Sequence, residues 1–163
     1  MQCNPEISEQ AKVELVAEIL RSGGGVQIKA RGCSMLPAMW PGDLLTVEPL
    51  AGREIVRGDI VVVLRDRRFF VHRIVGSKKR NSGSHWITRG DAMPQNDPPA
   101  AAGHLLGRVV RICRGGRIFI PSRRVPLIHS GLAWVFCHSN RIRNLALRTH
   151  AAGRHTSAYR ASL

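Results

Sequence analysis

Hydrophobic positions recur with a helical period at the start of the chain. Between residues 7 and 20 they fall about every four positions, and the set comprises Ile7, Ala11, Leu15, Val16, Ile19 and Leu20. Residues at this spacing share one face of a helix, so the pattern predicts an amphipathic helix over 7–20. Three consecutive glycines at 23–25 predict its end, because a helix C-terminus often needs a left-handed residue.

Beyond the glycines the pattern changes to short runs rich in Val and Ile, separated by Gly, Pro and Asp. Seven such runs predict strands, namely Val26–Ala30, Leu44–Val47, Ile60–Leu64, Phe69–Val75, Trp86–Thr88, Leu105–Ile112 and Ile118–Ile120. Short strands with turn residues between them favour a mainly β, largely antiparallel domain behind one N-terminal helix.

A Gly-Asp pair occurs three times within this β-rich stretch. Gly42-Asp43 and Gly58-Asp59 each lead into a predicted strand, whereas Gly90-Asp91 follows one. Glycine supplies an unusual φ and aspartate caps turns, so we interpret the pairs as turns. Three copies at unequal spacing do not define a repeat fold.

The pattern changes again near residue 121, where Pro121 and Pro126 bracket a short linker. A helix is predicted over 132–147, with apolar residues on one side and arginines nearby; these are Leu132, Val135, Phe136, Ile142 and Ala146, then Arg141, Arg143 and Arg148. The last dozen residues are predicted to be disordered. The chain thus divides into a helix with its glycine turn (1–25), a β domain (26–121) and a basic, partly helical segment (122–163).

Charge is distributed very unevenly along the chain. The 163 residues include 25 Lys+Arg and 11 Asp+Glu, a formal net charge of +14. Residues 1–97 hold 14 of the basic residues and every acidic one, whereas residues 98–163 hold 11 arginines and no acid. Aromatic residues make up 5% and do not alternate with the arginines, so stacking on single-stranded nucleic acid is disfavoured.

The cysteine pattern and the first residues of the chain indicate the cellular compartment. Cys3, Cys33, Cys113 and Cys137 form no CxxC pair, so no metal or cofactor site is predicted and free thiols are expected. No apolar run approaches the roughly 18 residues of a membrane helix, and MQCNPEISEQ lacks the features of a signal peptide. These features predict a cytoplasmic protein.

Three segments carry the parts of a serine nucleophile system. Ser34 lies in the turn-forming sequence GCSMLP, His72 interrupts the strand FFVHRIV, and Asp91 and Asp97 lie in TRGDAMPQND. Alternation puts His72 on the same strand face as Ile74, where an imidazole is costly without a polar partner. A hydroxyl, an imidazole and a carboxylate together activate a serine for attack.

These segments also carry a family resemblance. The blocks GCSMLPAMWPGDLLTV, RGDIVVV, FFVHRIV, ITRGDAMPQND and LLGRVV, spanning roughly residues 27–112, resemble the type I signal peptidase family and the related self-cleaving repressors of the LexA type. The resemblance implies a fold of small antiparallel sheets and a serine endopeptidase acting on a precursor protein or peptide. By position it implies that Ser34 is the nucleophile. His72 stands where bacterial members carry a lysine base, which resembles the endoplasmic-reticulum and archaeal branch. That branch implies a carboxylate six residues past Asp91, which is Asp97 here.

Several roles stay open at this stage. Asp91 is the alternative third member of the site, and Cys33 is an alternative nucleophile that the register disfavours. The resemblance implies the Ser34 backbone N–H as one oxyanion donor. Some family members add a hydroxyl two residues before the nucleophile, but Gly32 offers none, so the second donor stays unassigned. Two arginines are candidates to hold the acids in place, namely Arg73 and Arg89.

The chain also departs from the signal peptidase pattern. Typical members carry membrane anchors, whereas this sequence predicts none. We therefore expect either a cytoplasmic substrate or docking on an anionic membrane through an interfacial helix at 125–147, with Trp134 and Phe136 toward lipid. The alternative is a helix packed on the domain with a solvated arginine face.

There are three alternatives to the serine endopeptidase function, of which nucleic-acid binding is the first. About 25 residues precede the β domain, too few for the helix-turn-helix that LexA-type relatives carry there, so specific nucleic-acid binding is not expected. The alternative functions are a catalytically inactive binding module on the same fold and a self-cleaving regulator.

Overall fold

A computed structural model provides the fold of the chain. It describes residues 8–50, 52–80, 83–124 and 145–149, together with positions 135, 139 and 142. In chain order the elements are α1 (Glu9–Arg21), β1 (Val26–Lys29), β2 (Leu44–Pro49), β3 (Ile60–Arg65), β4 (Arg68–Arg80), β5 (Gly83–Arg89), β6 (Ala100–Ala101), a 3-10 turn (Ala102–His104), β7 (Leu105–Arg114) and β8 (Arg117–Phe119).

The eight strands of the described residues form one sheet in which every pairing is antiparallel. The strand order is β1-β2-β7-β3-β4-β5-β6, with β8 paired to β7. The central strand β3 begins with the continuous apolar run Ile60–Val63, and all four residues are buried. Successive side chains of β3 point to opposite faces, so the strand contributes to two hydrophobic clusters. The prediction of a mainly β, antiparallel fold with an N-terminal helix is confirmed.

Helix α1 packs on the sheet through a face that the sequence pattern predicts only in part. Its start is capped by Ser8, whose hydroxyl accepts from the Ala11 amide at 3.1 Å. Ala17 and Leu20 are buried, whereas Leu15, which the four-residue series puts on the buried face, is 53% exposed. Leu20 and Val16 of the predicted set are buried or packed against the core, so the prediction is right there and wrong at Leu15 and Ala11, which are exposed. The predicted end is confirmed, since Gly23 has φ +93° just after the helix.

The strands differ from the predicted runs mainly in their ends. Strand β4 continues to Arg80, five residues beyond the prediction, because its polar end pairs with β5 in a backbone ladder that needs no apolar pattern. The two-residue strand β6 was not predicted, since a pair of alanines gives no strand signal. The last strand is shifted by one residue, to Arg117–Phe119.

All three Gly-Asp pairs lie in turns, as predicted, but only two of them have the expected glycine conformation. Gly42 and Gly58 have φ of +91° and +98°, which favour glycine. The Asp43 carboxylate accepts from the Trp40 amide at 2.8 Å, and Asp59 closes its own turn in the same way. The turn at Gly90-Asp91 is closed by a bond from the Met93 amide to the Gly90 carbonyl at 3.0 Å, but Gly90 does not have a positive φ.

The C-terminal segment is described only in part. The described residues 145–149 are helical, and Ala146 and Leu147 pack against the loop residues Leu36 and Ala92. The predicted lipid-facing residues Trp134 and Phe136 lie outside the described residues, as do Leu132, Arg141 and Arg143. In the described ranges, no helix combines the length and apolar character needed to cross a bilayer.

The cysteines are covered in part as well. Cys33 and Cys113 are free thiols, as predicted. Cys3 and Cys137 lie outside the described residues.

Candidate active site

Ser34 lies in a compact loop between β1 and β2. The loop is closed by main-chain bonds from the Leu36 amide to Cys33 at 3.3 Å and from the Met39 amide to Met35 at 3.0 Å. Met35, Leu36 and Met39 are buried and anchor the loop in two hydrophobic clusters. The Ser34 side chain is thereby presented from a fixed backbone at the edge of the core.

His72 lies on β4 and is almost fully buried, at 6% exposed. It pairs with Val61 of β3, and the two-residue alternation puts its ring on the same face as Ile74, as predicted. Its Nε2 lies 3.0 Å from Ser34 Oγ, and its Nδ1 lies 2.6 Å from Asp97 Oδ2. An ionised carboxylate can only accept, so Nδ1 carries a proton, and in the neutral ring Nε2 can accept from the Ser34 hydroxyl.

Asp97 ends the loop that follows β5 and is held there by Thr88. The Asp97 amide donates to the Thr88 carbonyl at 2.8 Å, and the Thr88 hydroxyl donates to Asp97 Oδ2 at 2.6 Å. Burial raises the pKa of Asp97. The hydrogen bonds from His72 and Thr88 and the charges of His72 and Arg65 lower it, and together they outweigh burial, so the pKa lies below its ordinary value. The carboxylate is therefore charged at neutral pH.

Asp91, the alternative third member, faces a different partner. Arg73 holds it in a two-pronged ion pair, with Nε and Nη2 at 2.8 and 2.7 Å from the two carboxylate oxygens. The same guanidinium donates to the carbonyls of Gly58 and Ser122 at 3.0 and 2.7 Å. The expectation that Arg73 holds an acid is confirmed for Asp91. Arg89 is exposed, and no ion pair joins it to either acid within the described ranges.

The loop after β5 is pressed against the Ser34 loop. The Ala92 amide donates to the Ser34 carbonyl at 2.8 Å. A Cβ added at Gly90 would come within 2.6 Å of the Ser34 carbonyl oxygen and 3.0 Å of Ser34 Cβ. Only glycine allows this approach, so Gly90 sets the spacing between the nucleophile loop and the loop that carries Asp97.

The surroundings of Ser34 bear on the oxyanion donors and on Cys33 as an alternative nucleophile. No acceptor for the Ser34 amide occurs among the described residues. Gly32 has φ +80° and adds no donor side chain. Cys33 packs against Leu36 and Ala92. No group of three His, Cys, Asp or Glu side chains within the described part of the chain has the geometry to bind a metal ion.

The structure therefore brings Ser34, His72 and Asp97 together and pairs Asp91 with an arginine. The sequence reading missed Thr88 as a partner of Asp97, because a threonine in a strand is ordinary and carries no signal. It also missed the close approach at Gly90. A glycine in a Gly-Asp pair was interpreted as a turn residue, and steric contact with a loop 56 positions earlier leaves no mark in a single sequence.

A mainly β fold that joins a serine, a histidine and an aspartate through hydrogen bonds is the arrangement of a serine-peptidase-like protein. A family model described as Peptidase S24-like matches residues 3–97, more than half of the chain. The chain belongs to the Peptidase S24-like family, and the match includes all three clustered residues. Comparison with curated proteins found no match.

Proposed function

We propose that this protein is a serine endopeptidase in which Ser34 attacks, His72 transfers the proton and Asp97 orients the imidazole. The observation that carries the proposal is the continuous hydrogen-bonded chain from the Ser34 hydroxyl through both ring nitrogens to the carboxylate, at 3.0 and 2.6 Å. Membership in a family named for peptidases supports it.

The first half of the reaction forms an acyl-enzyme. Ser34 Oγ attacks the scissile carbonyl carbon while His72 Nε2 takes the hydroxyl proton, and the imidazolium is stabilised by Asp97. The tetrahedral adduct then collapses, the C–N bond breaks, and the leaving amine receives the proton from Nε2. In the second half, water takes the place of the amine and attacks the acyl carbon while His72 Nε2 takes one of its protons. The second adduct then collapses, the bond from the acyl carbon to Ser34 Oγ breaks, and Nε2 returns the proton to Oγ, which releases the acid and free Ser34.

The negative oxygen of the adduct requires donors that are fixed before the reaction. The Ser34 amide is suited to this role because no described residue occupies it and its loop is anchored by buried side chains. Preorganised donors of this kind each contribute about 10²- to 10³-fold to the rate of acyl transfer.

The substrate we propose is a segment of a precursor protein or peptide. The support is the motif similarity of the GCSMLP, FFVHRIV and ITRGDAMPQND blocks to signal peptidases that use a histidine base.

The proposal is tested by incubating the protein with a library of precursor-derived peptides and detecting new termini by mass spectrometry. We expect Ser34→Ala and His72→Ala to lower kcat/KM by about 10³-fold or more, because members of such a unit act together. The matched controls are Ser84→Ala and His104→Ala, which alter an exposed serine and an exposed histidine of the same domain and should leave the rate unchanged.

The alternative functions give different results in the same assay. If the wild-type protein and Ser34→Ala yield identical peptide patterns, the fold serves as a binding module and the enzyme proposal fails. If the only Ser34-dependent product is a fragment of the chain itself, at a rate independent of protein concentration, the protein is a self-cleaving regulator.

A further inference from the structure

Thr88 occupies an unusual position for a hydroxyl residue. It is 0% exposed and lies next to the last residue of β5. It pairs with Ile74 of β4, and opposite residues of an antiparallel pair share a face. Since Ile74 and His72 are two residues apart on β4, Thr88 and His72 point to the same side of the sheet. The register alone thus directs a buried hydroxyl and the imidazole toward one space.

Asp97 fills that space, and both side chains converge on one of its oxygens. The Thr88 hydroxyl lies 2.6 Å from Oδ2, and His72 Nδ1 lies 2.6 Å from the same atom. The backbone repeats the contact, because the Asp97 amide donates to the Thr88 carbonyl at 2.8 Å. Thr88 therefore holds Asp97 by both its main chain and its carboxylate.

We propose that Thr88 is a positioning residue that acts through Asp97, fixing the carboxylate oxygen that faces His72. The proposal rests on the proposed function. The terminal torsion of an aspartate is broad, so a carboxylate with one partner can rotate away from the line to the ring. A second donor on the same oxygen removes this freedom.

The choice of threonine fits this role. A β-branched side chain is stiff at χ1, so the direction of the hydroxyl is set by the strand rather than by solvent. The bond also serves Thr88 itself, because a fully buried hydroxyl without an acceptor is costly. Loss of the hydroxyl would leave His72 as the one side chain bonded to Asp97 Oδ2 among the described residues, while the main-chain bond from the Asp97 amide to Thr88 would remain.

The test compares Thr88→Val, which keeps the shape and removes the hydroxyl, with Thr88→Ser, which keeps the hydroxyl. On the peptide that the wild-type protein cleaves fastest, we expect Thr88→Val to lower kcat about tenfold, the scale of one hydrogen bond to a charged group, with KM changed less than about twofold. Thr88→Ser should recover most of kcat. If circular dichroism shows that Thr88→Val does not fold, Thr88→Ala takes its place in the comparison.

A double-mutant cycle separates positioning from a general structural role. In an Asp97→Ala background the proposed partner is absent, so adding Thr88→Val should leave single-turnover rates unchanged. An equal loss of kcat in both backgrounds would mean that Thr88 supports the fold alone, and would overturn the proposal. Failure of Thr88→Ser to recover kcat would overturn it as well.

A readout independent of cleavage distinguishes this proposal from the proposed function. Titration of the Asp97 carboxyl carbon by NMR, assigned with Asp97→Asn, should give a higher pKa in Thr88→Val than in the wild type, and a wild-type-like pKa in Thr88→Ser. An unchanged pKa in Thr88→Val would refute the role of Thr88 even if the enzyme is active. If no peptide is cleaved but the pKa responds as expected, the proposed function fails and the hold of Thr88 on Asp97 stands.

Discussion

Two acids six residues apart, Asp91 and Asp97, have opposite surroundings on the same loop. Asp91 is held by both prongs of Arg73, and the two side chains are 6% and 8% exposed. Asp97 is 22% exposed and is held by an imidazole and a hydroxyl. A guanidinium keeps its proton under all ordinary conditions, whereas an imidazole gains and loses one near neutral pH. The first pair can only hold structure, and the second can take part in proton transfer.

The other two Gly-Asp aspartates resemble Asp91 rather than Asp97. Asp43 is paired with Arg114 at 2.7 Å, and Asp59 with Arg123 at 2.8 Å. Each of these arginines lies on or beyond β7, far along the chain from the acid it meets. The arginine clamps therefore tie distant segments to the turns around the site. Among the residues that the structure describes, Asp97 is the one of the four carboxylates that has no arginine clamp.

The largest expected effect comes from a substitution that breaks the His72–Asp97 pair and leaves the arginine–aspartate ion pairs intact. Asp97→Asn should lower kcat/KM by about 10⁴-fold, because an amide can donate to Nδ1 and leave Nε2 protonated, so that the ring no longer accepts the Ser34 proton. Peptide cleavage measures the rate, and a thermal melt measures the fold. A variant that keeps more than a tenth of the wild-type rate would remove Asp97 from the mechanism.

The reverse pattern is expected for Asp91→Asn. Removing one partner of a buried ion pair leaves Arg73 charged and unpaired, so the free energy of unfolding should fall by about 3 kcal/mol. Urea unfolding measures the loss, and a residual rate close to wild type in the folded fraction is the expected companion result. If Asp91→Asn instead lost activity with full stability, the assignment of the two acids would be exchanged.

The sequence predicts much of the surroundings of Asp91 and Asp97, but it does not predict the contacts that distinguish the two acids. Alternation along FFVHRIV correctly gave the facing of His72, and the Gly-Asp turns at 42–43 and 58–59 follow from residue type. The choice between Asp91 and Asp97 rested on family resemblance, because both lie on one turn-rich loop. Their separation depends on Arg73, whose guanidinium also meets the Ser122 carbonyl, 49 positions away. Contacts of that range depend on the assembled sheet and leave no local pattern.

A third prediction tests the spacing between the two loops. Gly90→Ala would bring a methyl group within 2.6 Å of the Ser34 carbonyl oxygen, so the loops must move apart. A displacement approaching 1 Å in an active site can cost about 10²-fold in rate, and we expect a loss of kcat on that scale or somewhat below it. Gly103→Ala is the matched control, because a methyl group there meets nothing within 4 Å. Equal rates for the two variants would show that the loop spacing is not critical.

The smallest expected effect is on the pH dependence of stability, and it concerns Asp97 alone. The pKa of Asp97 is lower in the folded protein than its ordinary value of 3.8, so the native state holds the carboxylate charged more firmly than the unfolded chain does. The resulting stabilisation is fully present above about pH 3.8 and is lost as the pH falls through the folded-state pKa. In urea unfolding between pH 5 and pH 2.5, the wild-type advantage over Asp97→Asn should shrink as the pH falls below about 4. An advantage that grows below pH 4 would mean that the hydrogen bonds from His72 and Thr88 do not favour the charged form, and the contrast with the arginine-clamped acids would lose its electrostatic basis.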